Sequence, residues 1–386
     1  MKAFETLQKY YKERWNYQLL AKDWKEKGQK IIGYTDINCP EELIIAAGCL
    51  PLLMVGDPDS DSDVDYKYMQ YPVSLPIRYL YEAILTGRYN FIDLICITAG
   101  DEWQSSLHGY LNEEKRLNPS LEYKETYFLE HLRTTFKHHR DYNFGRLVAF
   151  KDYLEEFSQR KITNRALSEA IEVTNETRKL LKKLSDLRKT DPPHISGCEA
   201  LPIIMASMLM PKTEYNRLLK EFLDKEVNNL PKKDASKTRI FVSGSSVDHP
   251  KLYELIESTH AVVVGEDTAF GDRYAELLIR DDMDPMEAIC DRYTYKPPDP
   301  WMLGMDETLK YRVKSVVAAS AQGEIFFHIK DDQHPAWDYP DQEKELEKLG
   351  IPVLPLEPQQ YKISNPKLLK KHIEAYIKSI SSGGKK

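Results

Sequence analysis

Hydrophobic runs of strand length alternate with stretches of helical spacing along most of the chain. The main apolar runs are residues 30–34, 50–55, 91–98, 238–243, 261–264 and 323–329. Runs of this length, without polar alternation, are typical of parallel strands that are buried on both faces. The segments between them place apolar residues three and four positions apart, which predicts helices. The pattern therefore predicts an α/β fold.

The same pattern divides the chain into three parts. From residue 143 to residue 227 the spacing is helical almost throughout, and strand-like runs resume near residue 237. We predict an N-terminal amphipathic helix over 3–27 at the start of a first α/β lobe, 1–155. A helical connector, 156–236, then leads to a second α/β lobe, 237–386. Each lobe is predicted to be a flavodoxin- or Rossmann-like parallel sheet.

The stretch 33–51 contains the most informative local pattern. A strand end leads into the polar loop 35–38, after which Pro40 begins a helix, since proline fits the first helical turn. Glu41 and Glu42 follow at the helix N-terminus, where the macrodipole favours negative charge. Helix capping alone explains both carboxylates. The alternative is a functional role, because α/β proteins bind ligands at strand ends.

Composition and charge exclude several classes of protein. The net charge is −7, and no basic cluster stands out, which argues against nucleic-acid binding. The apolar run 201–210 is far too short to span a bilayer. Residues 1–22 mix charged and aromatic side chains and do not resemble a secretory leader, so we expect a cytoplasmic protein.

The sequence offers no recognisable metal-binding motif. Its five cysteines are scattered singly, at Cys39, Cys49, Cys96, Cys198 and Cys290. No CxxC pair exists, so a zinc finger or a self-contained ferredoxin-type site is not supported. The histidines at 138–139, 328 and 334 lack a complete set of nearby partners. We predict no metal ligand in this chain.

Six short motifs stand in order along the chain: PEELI at 40–44, AAG at 46–48, KIT at 161–163, ISGCE at 195–199, EDT at 266–268 and GDRY at 271–274. In their order and spacing, these motifs resemble the family of 2-hydroxyacyl-CoA dehydratase and ATP-dependent benzoyl-CoA reductase subunits. No single motif is specific, but together they extend the resemblance over residues 33–356.

The resemblance implies a heteromeric enzyme that acts on a coenzyme A thioester. Two related subunits, each of two flavodoxin-like lobes, would hold [4Fe-4S] clusters at the lobe interface. A separate ATP-hydrolysing iron–sulfur activator would supply electrons one at a time for radical chemistry. The expected partners are therefore a homologous cluster-bearing subunit and the activator.

The chain departs from the family at the cluster ligands. Family members place one cysteine four residues before the arginine of the second helix, where this chain has Ser74 ahead of Arg78. A second belongs to a Cys-Asp pair that is Gly100-Asp101 here, and the third matches the neighbourhood of 331–334. Serine and glycine do not replace thiolates, so we expect the sister subunit to hold the cluster.

The first hypothesis is a cluster-free subunit of a benzoyl-CoA (aryl-CoA) reductase. It places seven residues on the substrate side: Tyr34, Thr35, Asp36, Ser74, Arg78, Gly100 and Asp101. Glu42, or else Glu41, would deliver a proton, with burial raising its pKa toward working pH.

Two alternatives stay open. One is a 2-hydroxyacyl-CoA dehydratase subunit, and the other is a non-catalytic scaffold of such a complex. Aromatic residues in 66–71 and Trp103 favour the reductase, because they could pack around a flat ring.

Overall fold

The computed structural model describes residues 2–60, 69, 73–99, 102–231, 233–297 and 305–383. Two four-stranded parallel sheets, with helices packed against them, form two α/β lobes. The fold class predicted from the sequence is therefore confirmed.

The first sheet contains β1 (Ile31–Tyr34), β2 (Leu50–Leu53), β3 (Leu94–Thr98) and β4 (Thr126–Leu129). Their spatial order is β2-β1-β3-β4, and every neighbouring pair is parallel. All residues of β1, β2 and β3 are buried, which explains why their sequences lack polar alternation. From β1 the chain continues to β2 on one side of β1 and then crosses to β3 on the other side. A switch point for ligand binding therefore lies at the carboxyl end of β1.

The second sheet repeats this topology with β5 (Thr238–Gly244), β6 (Ala261–Glu266), β7 (Gly323–Phe327) and β8 (Val353–Pro355). The order is β6-β5-β7-β8, again parallel throughout. The corresponding switch point lies at the carboxyl end of β5.

Gly244 ends β5 in a conformation that other residues rarely adopt. Its φ is +104°, and a Cβ atom at this position would lie 2.1 Å from the carbonyl oxygen of Phe327. The absence of a side chain therefore lets β5 turn into the next loop while it stays paired with β7.

The helices surround the two sheets. Those of the first part are α1 (Lys2–Lys12), α2 (Tyr17–Leu20), α3 (Lys22–Glu26), α4 (Glu41–Ala46), α5 (Leu75–Leu85), α6 (Glu102–Leu117) and α7 (Lys137–Ser158). The middle part contains α8 (Asn164–Lys189), α9 (Gly197–Ala206) and α10 (Lys212–Glu221), followed by a π turn (Phe222–Glu226) and a 3-10 turn (Val227–Asn229). The last part contains α11 (Lys251–Glu257), α12 (Asp272–Ala275), α13 (Pro285–Tyr295), α14 (Met305–Ala318), α15 (Gln333–Lys348) and α16 (Pro366–Gly383). None of the helices in the described ranges is long and apolar enough to cross a membrane.

The prediction of one N-terminal helix over 3–27 was wrong. Three short helices, α1 to α3, occupy this segment. The break falls at Asn16, whose side-chain oxygen accepts a hydrogen bond of 3.0 Å from the backbone N–H of Gln18. Asparagine caps a helix start well, so it begins α2 instead of continuing α1.

The long helix α8 connects the two lobes. It begins at its N-cap Thr163, whose hydroxyl accepts from the backbone N–H of Ala166 at 3.2 Å. Along its length it packs against α4 of the first lobe and against α12 and α13 of the second. The domain boundaries at 155 and 236 stay predictions.

Candidate functional site

A cleft lies where the carboxyl ends of the two sheets face each other. Thr35 and Asp36 follow β1 on one side, and Asp267 and Thr268 follow β6 on the other. Gly244, at the end of β5, also lines it. The cavity volume is about 130 Å³, well below the roughly 300–1,000 Å³ typical of pockets for drug-sized ligands. The cleft in this conformation therefore suits a small group, such as one end of a larger molecule.

The wall from the first lobe is polar and internally hydrogen-bonded. The Thr35 hydroxyl donates to Gln104 Oε1 at 2.7 Å, which ties the loop after β1 to α6. Asp36 Oδ1 accepts from the backbone N–H of Asn38 at 2.8 Å. These contacts fix the loop that carries the first residues of the cleft.

Ser74 reaches the cleft from the start of α5. It is the N-cap residue of that helix, is buried, and lines the cavity. Arg78, one turn further, is also buried, and its Nε donates to the carbonyl oxygen of Val73 at 3.0 Å. Arg78 therefore supports the turn that positions Ser74, and it is not among the cleft-lining residues.

The wall from the second lobe is built on Asp267. One of its oxygens lies 2.5 Å from Arg273 Nη2, and the other accepts from Arg312 Nε at 2.8 Å. All three side chains are buried, so the two guanidiniums hold the carboxylate in a fixed position.

Three further oxygens on this wall are buried without a hydrogen-bond partner among the described residues: Thr268 Oγ1, Asp248 Oδ1 and Asp332 Oδ1. Thr268 is 2% exposed and Asp248 is 6% exposed. Burial raises the pKa of Asp332, although a hydrogen bond with Ser245 opposes this shift. Buried polar atoms are almost always satisfied in proteins, so these oxygens accept from water or from a group that binds in the cleft.

Glu42 lies outside the cleft lining, is fully buried and forms an ion pair with Arg178. Its Oε1 accepts from Arg178 Nη2 at 2.5 Å, and its Oε2 accepts from the Tyr293 hydroxyl at 3.0 Å. Burial alone would raise the pKa of Glu42, but the charges of Arg178 and Arg292 lower it to about 2. The expectation that burial would bring this carboxyl toward working pH was wrong, because the nearby cations outweigh desolvation.

Glu41 belongs to the same buried network. It accepts from the Tyr274 hydroxyl at 2.6 Å, lies 2.8 Å from Lys212 Nζ and lies 3.8 Å from Arg178 Nη2. The network thus joins α4 of the first lobe to α8, α10 and α12. A catalytic role for Glu41 or Glu42 stays a prediction, and their contacts give both a structural role.

Only some of the predicted substrate-side residues line the cleft in the structure. Thr35, Asp36 and Ser74 all line the cleft. Tyr34 is buried in the core beside the Glu41 network and, like Arg78, lies outside the lining. The predicted positions 100 and 101 lie outside the described residues.

The thiols do not form a cluster site within the described ranges. None of the five cysteines lines the cleft there, and no group of three or more His, Cys, Asp or Glu side chains could hold a metal ion. Cys39 and Cys96 are buried with their Sγ atoms 3.8 Å apart. Burial raises the pKa of Cys39 well above its usual value and that of Cys49 and Cys290 to about 11. Since a cluster binds thiolates, these residues do not fit an iron–sulfur centre.

Sequence reasoning did not single out several cleft residues. Gln104 and Arg133 carry no local signal, because each reaches the cleft from a different element, but Asp248 lies in the polar loop after β5. Asp267 and Thr268 carried a local signal in the sequence, because they follow a buried strand and belong to the EDT motif at 266–268. The position after a strand end was therefore the usable signal.

The chain matches a model of the 2-hydroxyglutaryl-CoA dehydratase D-component family over residues 36–380. It is 24% identical to the (R)-phenyllactyl-CoA dehydratase beta subunit of Clostridium sporogenes, covering 86% of this chain and 87% of that protein. It is 27% identical to one of the benzoyl-CoA reductase subunits of Thauera aromatica, covering 79% and 80%. It is 24% identical to the beta subunit of (R)-2-hydroxyglutaryl-CoA dehydratase of Acidaminococcus fermentans, covering 86% and 88%.

Proposed function

The chain belongs to the 2-hydroxyglutaryl-CoA dehydratase D-component family, and on this premise we propose that it is the cluster-free subunit of a heteromeric enzyme acting on an acyl-CoA thioester. In this proposal a homologous sister subunit holds the [4Fe-4S] cluster. A separate ATP-hydrolysing iron–sulfur activator supplies the electrons.

One observation carries this proposal. The cleft lies between the lobes at the strand ends, where α/β proteins bind ligands, yet the described residues that line it include no thiol. Ser74, at one family cysteine position, faces the cavity, as does Asp332 in the neighbourhood of another. The described part of the cleft therefore keeps a ligand-binding geometry but offers no thiol as a cluster donor.

The cleft-lining residues have defined roles in this proposal. Thr35, Asp36 and Ser74 would contact the end of the substrate that enters the cleft, and Gln104 would hold Thr35 in place. The cluster, when held by the sister subunit, would supply low-potential electron transfer.

Dehydration of a 2-hydroxyacyl-CoA is one of two candidate reactions that the comparisons support equally. The family model is a dehydratase component, and two of the three relatives described above are dehydratase subunits. Reduction of an aromatic acyl-CoA, which the sequence favoured, is the second candidate, and the Thauera aromatica relative supports it. Trp103 gives it no support, because this side chain packs against the hydrophobic core and does not line the cleft.

Anaerobic purification of the tagged chain from its native host tests the proposal. We expect a homologous subunit to co-purify and to carry the iron and acid-labile sulfide. With the activator, ATP and a reductant, the complex should consume (R)-2-hydroxyglutaryl-CoA or phenyllactyl-CoA faster than benzoyl-CoA. Purification without a homologous partner, or a stoichiometric cluster in the isolated chain, would overturn it.

A further inference from the structure

The second-lobe wall of the cleft presents acceptor oxygens that have no partner among the described residues. The three oxygens come from Thr268, Asp248 and Asp332, which reach the cavity from three different loops. Asp248 has a partner on its other oxygen, Oδ2, which accepts from the Tyr361 hydroxyl, and this contact holds the carboxylate in place. We propose that these oxygens form a binding site for a primary ammonium group.

The charge of the lining favours a cation. Asp267 is already paired with Arg273 and Arg312, so it does not attract a further positive charge. Apart from the paired Asp267 and Arg273, the described residues that line the cleft include three acidic side chains, Asp36, Asp248 and Asp332. They include one basic side chain, Arg133. A ligand with a positive charge would balance this excess inside a cavity where water screens charges poorly.

The chemistry of the three oxygens favours N–H donors over a metal ion. A carboxylate accepts only, and a threonine hydroxyl can accept, so a group with three donors satisfies all of them. An alkylammonium has three donors in a compact head. Among the described residues no group of three or more His, Cys, Asp or Glu side chains could hold a metal ion.

The cavity size limits the ligand to a short chain. About 130 Å³ holds a few water-sized groups, since water occupies roughly 30 Å³ in the liquid. The ammonium could belong to a free short-chain amine or to the end of an acyl chain whose coenzyme A lies outside the cleft. An ammonium at the end of an acyl-CoA rests on the proposed function, whereas a free amine as the ligand does not.

Calorimetric titration of the full chain with n-propylammonium chloride, in phosphate buffer, tests the site directly. We expect saturable binding with a millimolar Kd. Potassium and tetramethylammonium, which lack N–H donors, should not bind or compete, and neither should propionate. Equal binding of any of these three ions would overturn the proposal, as would a lack of saturable propylammonium binding up to about 50 mM, on the order of the weakest specific affinities.

Two variants locate the site. Thr268→Val should weaken propylammonium binding roughly fivefold and Asp332→Asn roughly tenfold or more. The reason is that the charged carboxylate of Asp332 forms a stronger hydrogen bond with the ammonium than the neutral hydroxyl of Thr268 does. Thr98→Val is the matched control: Thr98 is buried, its hydroxyl has no partner among the described residues, and it does not line the cleft. Equal weakening by Thr98→Val and Thr268→Val would contradict the assigned location.

The purified complex separates the two sources. If the ammonium belongs to the substrate, an aminoacyl-CoA should compete with propylammonium and should be consumed faster than its des-amino analogue. If a free amine is the ligand, an aminoacyl-CoA should compete with propylammonium no better than its des-amino analogue does. A complex that assembles and turns over acyl-CoA, while the chain binds no amine, would refute this inference and leave the proposed function intact.

Discussion

Arg178 on the connecting helix and Glu42 at the start of α4 form an ion pair of 2.5 Å, with 1% and 0% of their side chains exposed. Tyr293, from α13 in the second lobe, donates to the other oxygen of Glu42. One buried carboxylate thus contacts the connector and both lobes. This pair fixes the position of the loop that precedes α4, and that loop forms one wall of the cleft.

Replacing Glu42 by Gln should destabilise the fold by about 3–5 kcal/mol, because it leaves the buried Arg178 without its counter-charge. Denaturant unfolding of the isolated chain measures this loss. The pKa of Glu42 is lowered to about 2, so the stability it contributes is present above pH 4.5 and is lost as the pH falls through 2. The variant should lack this acid-dependent loss.

The double variant Glu42→Met, Arg178→Met is the control for charge burial. It should be more stable than Glu42→Gln alone, since replacing both members of a buried pair leaves no unpaired charge. If Glu42→Gln keeps wild-type stability and loses only turnover in the complex, the result would support the catalytic prediction for Glu42 and contradict its structural role.

Replacing Thr35 by Val should lower turnover of the assembled complex roughly tenfold without preventing assembly. The change keeps the side-chain shape but removes the 2.7 Å hydrogen bond to Gln104, worth about 0.5–1.5 kcal/mol. Initial rates and size-exclusion chromatography of the complex check both statements. Thr98→Val again serves as the control outside the cleft. Unchanged turnover in the Thr35 variant would support the scaffold alternative.

Glu324 should make stability depend on pH near neutrality. It is fully buried on β7, where desolvation raises its pKa to about 7, although Ser243, Arg312 and Gln342 oppose the shift. The folded protein keeps this proton up to about pH 7, whereas the unfolded chain releases it near 4.5. The free energy of unfolding should therefore fall as the pH rises from 4.5 through 7, by about 3 kcal/mol in total.

Unfolding of Glu324→Gln between about pH 4.5 and 8 measures that contribution. The neutral amide removes the titration, so the variant should lose this part of the slope. The control is Glu169→Gln, whose side chain is 62% exposed in a surface pair with Arg165. Equal slopes for wild type and Glu324→Gln would show that the carboxyl does not titrate in this range.

Anaerobic incubation of the isolated chain with ferrous iron and sulfide should not yield a stoichiometric cluster. The thiols of Cys39, Cys49 and Cys290 are buried, and burial raises their pKa, so thiolate ligands are costly to form. Iron and sulfide analysis, with the visible absorption spectrum, checks this. Cys39→Ser is the informative variant: a cluster that forms in wild type and disappears in Cys39→Ser would assign that residue as a ligand.

The sequence by itself determined the fold class and the position of the ligand-binding edge. Uninterrupted apolar runs identify buried parallel strands, and a loop at the end of such a strand lies at the cleft by topology alone. Thr35 and Asp36 after β1 could therefore be placed at the cleft, and the resemblance predicts that Ser74 stands where a family cysteine would be.

Tertiary structure decided which polar residues face the cavity. Glu42 and Tyr34 lie within eight residues of Thr35 and Asp36, yet the structure turns them toward Arg178 and the core. A local pattern specifies where a carboxylate stands on a helix but not which distant cation reaches it. The pKa of that carboxylate depends on this partner, 136 positions away in the chain. Only the packing of α8 against α4 could show that Glu42 connects the lobes and does not line their cleft.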